Sequence, residues 1–154
     1  MTEITFPSAS ATPLSAQRLL KRVILITGAG GAIGLETSAR LLQEGASLAL
    51  VDINPDALVA AVSKLKPYLR GGESAESRIL TLTADVTSEK DTEDFTKKTV
   101  EKFGRLDVAF LNAGISYAST SIFDTTEESY DRVMNINVKS GRWLSWITTL
   151  AVSG

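Results

Sequence analysis

Residues 23–34 read VILITGAGGAIG, a five-residue apolar run that breaks into glycines and then into a helical pattern. The run from Val23 to Thr27 holds only β-branched residues and leucine, the composition of a strand buried on both faces. Gly28, Gly30, Gly31 and Gly34 let the following backbone turn sharply and approach a ligand closely. A helix running from Ala32 points its N-terminus at the same spot. Bare N–H groups and the positive end of the helix dipole there favour an anion such as a dinucleotide pyrophosphate. An ordinary strand-to-helix turn with no ligand has the same local sequence, so the choice between them rests on the rest of the chain.

Beyond this turn, Leu35, Ala39 and Leu42 share one helical face, with Glu36, Arg40, Gln43 and Glu44 opposite and Gly45 as the C-terminal stop. SLALV at 47–51 is a second strand ending in Asp52, and Asn54-Pro55 opens a helix with Leu58, Ala61, Val62 and Leu65 on its apolar face. A polar loop containing Gly71-Gly72 leads to a third strand at 78–84. Ser88 and Asp91 then have the spacing of a capping box for a helix carrying Phe95, Val100 and Phe103 up to Gly104. LDVAFL at 106–111 is a fourth strand. Thr125 and Glu128 are spaced to cap a last helix through Tyr130, Val133, Asn137 and Leu144. Strands alternating with helices through short connections predict a doubly wound α/β fold, Rossmann-like, with a parallel sheet of about four strands. In such sheets the ligand lies beyond the C-terminal strand ends where strand order reverses, and Gly28, Asp52, Asp85 and Asn112 all fall at strand ends.

The bulk composition narrows the chemistry. The 154 residues, 44% of them hydrophobic, are enough for one core; residues 1–20 are expected to be a flexible arm and 21–154 the dinucleotide-binding domain. A net charge of −2 from 16 basic and 18 acidic residues mixed along the chain gives no basic patch for nucleic acid and no polybasic membrane tract. No apolar run reaches the roughly 18 to 20 residues that span a bilayer, so a cytoplasmic protein with a small-molecule partner is expected. There is no cysteine and no histidine, which excludes disulfides, thiolate chemistry, a conventional zinc site and a Ser-His-Asp triad. No metal is expected.

Asp52 closes the second strand 18 residues past Gly34, where an acid accepts hydrogen bonds from the adenosine ribose hydroxyls; capping the next helix or turn is the duller alternative. A carboxylate there repels a 2′-phosphate. No Lys or Arg lies between Thr27 and Glu36 or just after Asp52, so NAD is favoured over NADP.

Taken together these residues resemble the N-terminal part of a classical short-chain dehydrogenase/reductase. The strict G-x-G-x-x-G fingerprint fails, because Ile33 stands at its last position, but the family pattern T-G-x-x-x-G-x-G fits Thr27, Gly28 and Gly34, with Ala32 in place of the middle glycine. Ile33 therefore sits within the cofactor-binding turn. The resemblance extends to Asp85-Val86, whose carboxylate in the family contacts the adenine ring, and to Asn112-Ala113-Gly114, preceded by Leu111 where the family often has asparagine. Asn137 in MNINVKS matches the helix asparagine that supports a water-linked proton relay, and is the one catalytic candidate. Each has a plainer role available: a turn former for Asp85, a strand exit for 112–114, a satisfied polar group for Asn137.

The resemblance implies hydride exchange between a nicotinamide cofactor and an alcohol or carbonyl, with a tyrosine handling the hydroxyl proton and a lysine four residues later lowering its pKa. The residues four beyond Tyr68, Tyr117 and Tyr130 are Gly72, Ser121 and Met134, so no Tyr-x-x-x-Lys occurs. The sequence after Lys139 also fits the family poorly. The expectation is a cofactor half whose family sequence departs near Ser140, with a divergent continuous helix as the alternative. Such a half is inactive alone; a non-catalytic dinucleotide- or partner-binding module and a product without a stable fold are the competing readings. With no later strands, 106–111 is expected to be an open edge and Trp143 and Trp146 to be exposed, to be covered in an oligomer through the last helix.

Overall fold

A computed structural model describes residues 17–69, 72–117 and 121–142. Trp143, Leu144 and Trp146, and residues 1–16 of the expected arm, lie outside the described residues. Four strands, β1 (Val23–Thr27), β2 (Ser47–Asp52), β3 (Ile79–Thr83) and β4 (Val108–Phe110), form a wholly parallel sheet in the order β3-β2-β1-β4. The helices are α1 (Ala32–Gln43), α2 (Pro55–Leu65), α3 (Ala75–Arg78), α4 (Glu89–Phe103) and α5 (Glu127–Met134), the last running into a π-helical segment, Asn135–Lys139. The doubly wound architecture read from the sequence is the observed one.

Period-two alternation in β1 sorts its side chains between two cores. Ile24 and Ile26 pack with Ala39 and Leu42 of α1 and Leu58 and Leu65 of α2; Val23 and Leu25 pack on the other face with Phe95 of α4. Leu25, Ile26, Leu48 and Leu50 are fully buried, each worth about 1.5–3 kcal/mol relative to exposure. β1 is therefore the anchor of the domain. The sheet runs outward through β2 and β3 on one side and through β4 on the other, so strand order reverses between β1 and β4 and a crevice opens above their C-terminal ends.

Several local expectations are corrected. β4 pairs only over Val108–Phe110, with Leu106 buried ahead of it and Leu111 half-exposed beyond it. Arg78, the first residue of the expected third strand, is instead the last residue of α3, whose Ser74 N-cap accepts from Ser77 N–H. Ser88 caps α4 as expected, but Asp91 reaches Asp85 N–H (3.0 Å) instead of closing the box on Ser88. Thr126, not Thr125, caps α5.

Glu44, expected on the solvent face of α1, is buried. Its carboxylate accepts from Arg40 (2.7 Å) and from Arg18 (2.8 Å), and Leu19 N–H donates to its main-chain carbonyl. The last residues of the expected arm thus dock on the C-terminal end of α1. At the same end of the sheet Asp107 joins β1 to β4, accepting from Arg105, Val23 N–H and Arg22. The Arg105 guanidinium, with Val23 N–H and Arg22, holds the Asp107 carboxyl well below the usual carboxylate range. These clasps lie at the strand N-termini and leave the opposite end open.

Candidate functional site

A cleft of about 440 Å³ occupies the crevice at the C-terminal strand ends, within the range of small-molecule pockets. Gly28, Ile33, Asp52, Asp85, Asn112 and Gly114 all line it, contributed by the C-terminal ends of four different strands and the segments that follow them. Asp52 and Asp85 are the charged side chains of its lining among the described residues.

One wall is the turn between β1 and α1. Gly28 takes φ +64°, and a Cβ there would lie 3.0 Å from Ala113 Cα, so the turn and the loop after β4 touch backbone to backbone. Gly31 is the N-cap of α1 and supplies no side-chain acceptor. The first N–H groups of α1 have no partner inside the helix, and with the dipole they make an anion-binding end facing the cleft. Ile33 is 69% exposed at the cleft mouth.

Thr27 and Gly34, also expected to bind cofactor, lie behind this surface and shape it. The Thr27 hydroxyl is buried and accepts from Asn112 N–H (3.1 Å) and Ala113 N–H (3.0 Å), while Asn112 Nδ2 donates to the carbonyls of Thr27 (3.1 Å) and Gly28 (3.2 Å). This reciprocal set fastens the end of β4 to the end of β1. Gly34 permits α1 to lie against the turn, since a Cβ would fall 2.4 Å from Gly28 O.

Beside this turn, Asp52 Oδ2 accepts from Gly30 N–H (2.9 Å) and Oδ1 from Asn54 N–H (3.0 Å). Each oxygen retains a lone pair for a ligand hydroxyl. Asp85 Oδ1 accepts from Thr87 N–H (2.9 Å) and Thr87 Oγ1 (2.8 Å), a turn-forming pattern, and the residue also lines the cleft.

Asn137 sits on the π-helical segment, and its amide pairs with the backbone of Ile115, donating to the carbonyl (2.8 Å) and accepting from the N–H (2.9 Å). It thereby fixes the 112–115 loop. Ile53, Ile115 and Ile136 also line the cleft and were not singled out in the sequence. The available signal was position, since Ile53 directly follows the strand-end Asp52 and Ile115 directly follows Gly114 of the flagged 112–114 segment. Among the described residues no group of three or more acidic side chains is placed to hold a metal, and no helix is long and apolar enough to cross a membrane.

Residues 22–151 match the sequence profile described as short chain dehydrogenase. Levodione reductase of Leifsonia aquatica is 38% identical over 130 residues, covering 84% of this chain and 47% of that protein. An uncharacterized oxidoreductase of Thermotoga maritima is 40% identical over 124 residues, covering 80% and 45%. Among solved structures, levodione reductase superposes with TM-score 0.79 at 34% identity over 87% of this chain and 50% of its own. NAD+-bound xylitol dehydrogenase gives 0.78 at 31% identity over 87% and 49%. The chain spans about half the length of the curated relatives it matches.

Proposed function

The chain belongs to the short-chain dehydrogenase family, and from that premise we propose that it carries the NAD-binding half of an oxidoreductase interconverting an alcohol and a carbonyl. One observation carries the reading. The uncapped N-terminus of α1 and the Asp52 carboxylate face a single cleft, a donor end for a diphosphate beside an acceptor for a ribose. The residues present fit such a group: Gly28 and the first turn of α1 would hold the phosphates, Asp52 the ribose hydroxyls and Asp85 the adenine, while Asn112 and Gly114 border the inner end. When bound, the cofactor supplies hydride transfer. Asn137 supports that chemistry indirectly, by holding the loop at Ile115.

NAD is preferred to NADP on this reading, because a 2′-phosphate would meet Asp52 with no cationic side chain in the cleft lining among the described residues. The lost ribose contact is worth about 1.5–3 kcal/mol, a preference of roughly tenfold or more. Titrating both cofactors against wild type and Asp52→Ser tests it: equal wild-type affinities, or an unchanged ratio in the variant, sinks the ribose assignment. The 154 residues alone are proposed to be inactive, since no Tyr-x-x-x-Lys pair occurs in the sequence and an amide such as Asn137 cannot act as the titrating acid. Robust NADH-dependent carbonyl reduction by the purified chain would refute this.

An oligomer that covers the outer edge of β4 and the exposed face of α5 belongs to the same proposal. Val108, Leu111, Tyr130 and Val138 are between 39% and 53% exposed there, which supports it. Light scattering of the purified chain reads the outcome, and a monodisperse monomer goes against it.

A further inference from the structure

The glycine turn above the cleft is held by separate bonds, residue by residue. Ala29 N–H donates to Val51 O (3.1 Å) and Gly31 N–H to Gly28 O (3.2 Å), both main-chain acceptors. Gly30 N–H instead donates to a side chain, Asp52 Oδ2 (2.9 Å). The other Asp52 oxygen accepts from Asn54 N–H, and the Asn54 side chain accepts from Asp56 and Ala57 N–H at the start of α2. Ala57 closes the far side of Gly30: a Cβ on Gly30 would come 2.6 Å from Ala57 Cβ and 3.1 Å from Asp52 Oδ2. Gly30 thus lies in a slot between the Asp52 carboxylate and the first turn of α2.

We propose that Asp52 is a positioning residue for the phosphate-facing turn, fixing Gly30 and through it the entry to α1, in addition to accepting from ribose. The proposal rests on the cofactor reading above and adds a second duty to one of its residues. Glycine has more backbone freedom to lose than any other residue, so a run containing Gly28, Gly30 and Gly31 samples many conformers unless its N–H groups are tied. Without the Asp52 bond, the fraction of molecules with the donor end correctly formed falls, and apparent affinity for a phosphate ligand falls in proportion.

The sign of the effect separates this duty from simple electrostatics. A carboxylate repels a nearby diphosphate, so its removal alone strengthens phosphate binding. Loss of the latch weakens it. A ligand without ribose hydroxyls isolates the two effects, because the ribose contact then contributes nothing.

The experiment titrates ADP and 2′,3′-dideoxy-ADP against wild type and Asp52→Ala, and measures amide hydrogen exchange at Gly30 in the ligand-free chain. The latch predicts that Asp52→Ala binds dideoxy-ADP at least about threefold more weakly. It also predicts that Gly30 exchanges at least about tenfold faster while α4 amides are unchanged. Unchanged or tighter dideoxy-ADP binding, or unchanged Gly30 exchange, overturns it. Asp52→Leu, which keeps much of the side-chain volume and has no acceptor, gives the same comparison with the same two outcomes if the alanine variant does not fold. Wild type binding neither nucleotide refutes the cofactor reading instead, and Gly30 exchange then decides the latch alone.

Discussion

Replacing Gly34 by alanine sets two effects of opposite sign against each other in the first turn of α1. Gly34 lies inside the helix, where alanine is favoured over glycine by about 1 kcal/mol. The new Cβ would lie 2.4 Å from Gly28 O and 2.8 Å from Ala29 Cα. These are backbone atoms, and they cannot swing aside as the end of a long side chain would. The turn is tied by the Asn112 amide on Gly28 O and by Ala29 N–H on Val51 O, so relieving the contact means lifting α1 away from the sheet or breaking those bonds. Overpacking of this kind costs about 1–3 kcal/mol, and a clash confined to backbone belongs at the upper end. The net loss is about 2 kcal/mol. With a urea m-value of about 2 kcal/mol/M the unfolding midpoint drops by about 1 M.

The displaced atoms also form the wall of the cleft, so NAD affinity falls by more than the stability change accounts for. Gly104→Ala is the matched control. Gly104 has φ +76° and open space around its Cβ position, so alanine there costs about 1–2 kcal/mol from left-handed strain while leaving the cleft untouched. A Gly34→Ala midpoint equal to or above wild type would refute the packing argument. So would a Gly104→Ala variant that loses as much NAD affinity as Gly34→Ala.

Thr27→Val keeps the shape of the side chain but removes the acceptor shared by Asn112 and Ala113 N–H, leaving Asn112 N–H its bond to Phe110 O and stranding Ala113 N–H beneath the cleft. We expect a loss of about 1–3 kcal/mol in urea unfolding. Asp107→Asn should destabilise by about 1.5–3 kcal/mol near neutrality, since it weakens bonds from Arg105, Val23 N–H and Arg22 to a carboxylate that is 8% exposed. The folded-state pKa of Asp107 is depressed, so its contribution is full above the unfolded value of about 4 and is lost as pH falls below that towards the folded value. The gap between wild type and Asp107→Asn should therefore be widest at neutral pH and close through the acid limb of a stability-versus-pH series; a gap that widens below about pH 4 goes against the linkage.

The parts of the fold legible in the sequence are those governed by local rules. β1 and β2 are continuous apolar runs because helices cover both their faces, and α1 and α2 show a 3.6-residue period because each buries one side. The strand ends that line the cleft were readable for the same reason: once the alternation of strand and helix is seen, topology alone sends Gly28, Asp52, Asp85 and Asn112 to one crevice.

What was not legible depends on residues distant in sequence or on competition between equal local choices. Glu44 reads as a polar-face residue, and its burial depends on Arg18, 26 positions earlier, joining Arg40 one turn away as a second counter-charge. Thr125 and Thr126 are both acceptable caps, and α5 begins after the second because Ser129 N–H points at its hydroxyl. Asp91 has the spacing to close a box on Ser88, yet Asp85 N–H lies within its reach and captures it, which steadies the turn carrying Asp85. The same competition decides what the site residues do. Of the residues the family pattern marks, Thr27, Gly34 and Asn137 spend their polar atoms or their missing side chain on backbone, holding the turns around the cleft. A motif therefore records two demands at once, a surface for the ligand and a rigid support beneath it, and sequence alone does not say which residue answers which. Hydrogen-bond geometry separates them: a group whose acceptors are filled by backbone is support, and Asp52, with one lone pair of each oxygen committed and one free, is the residue we propose for both.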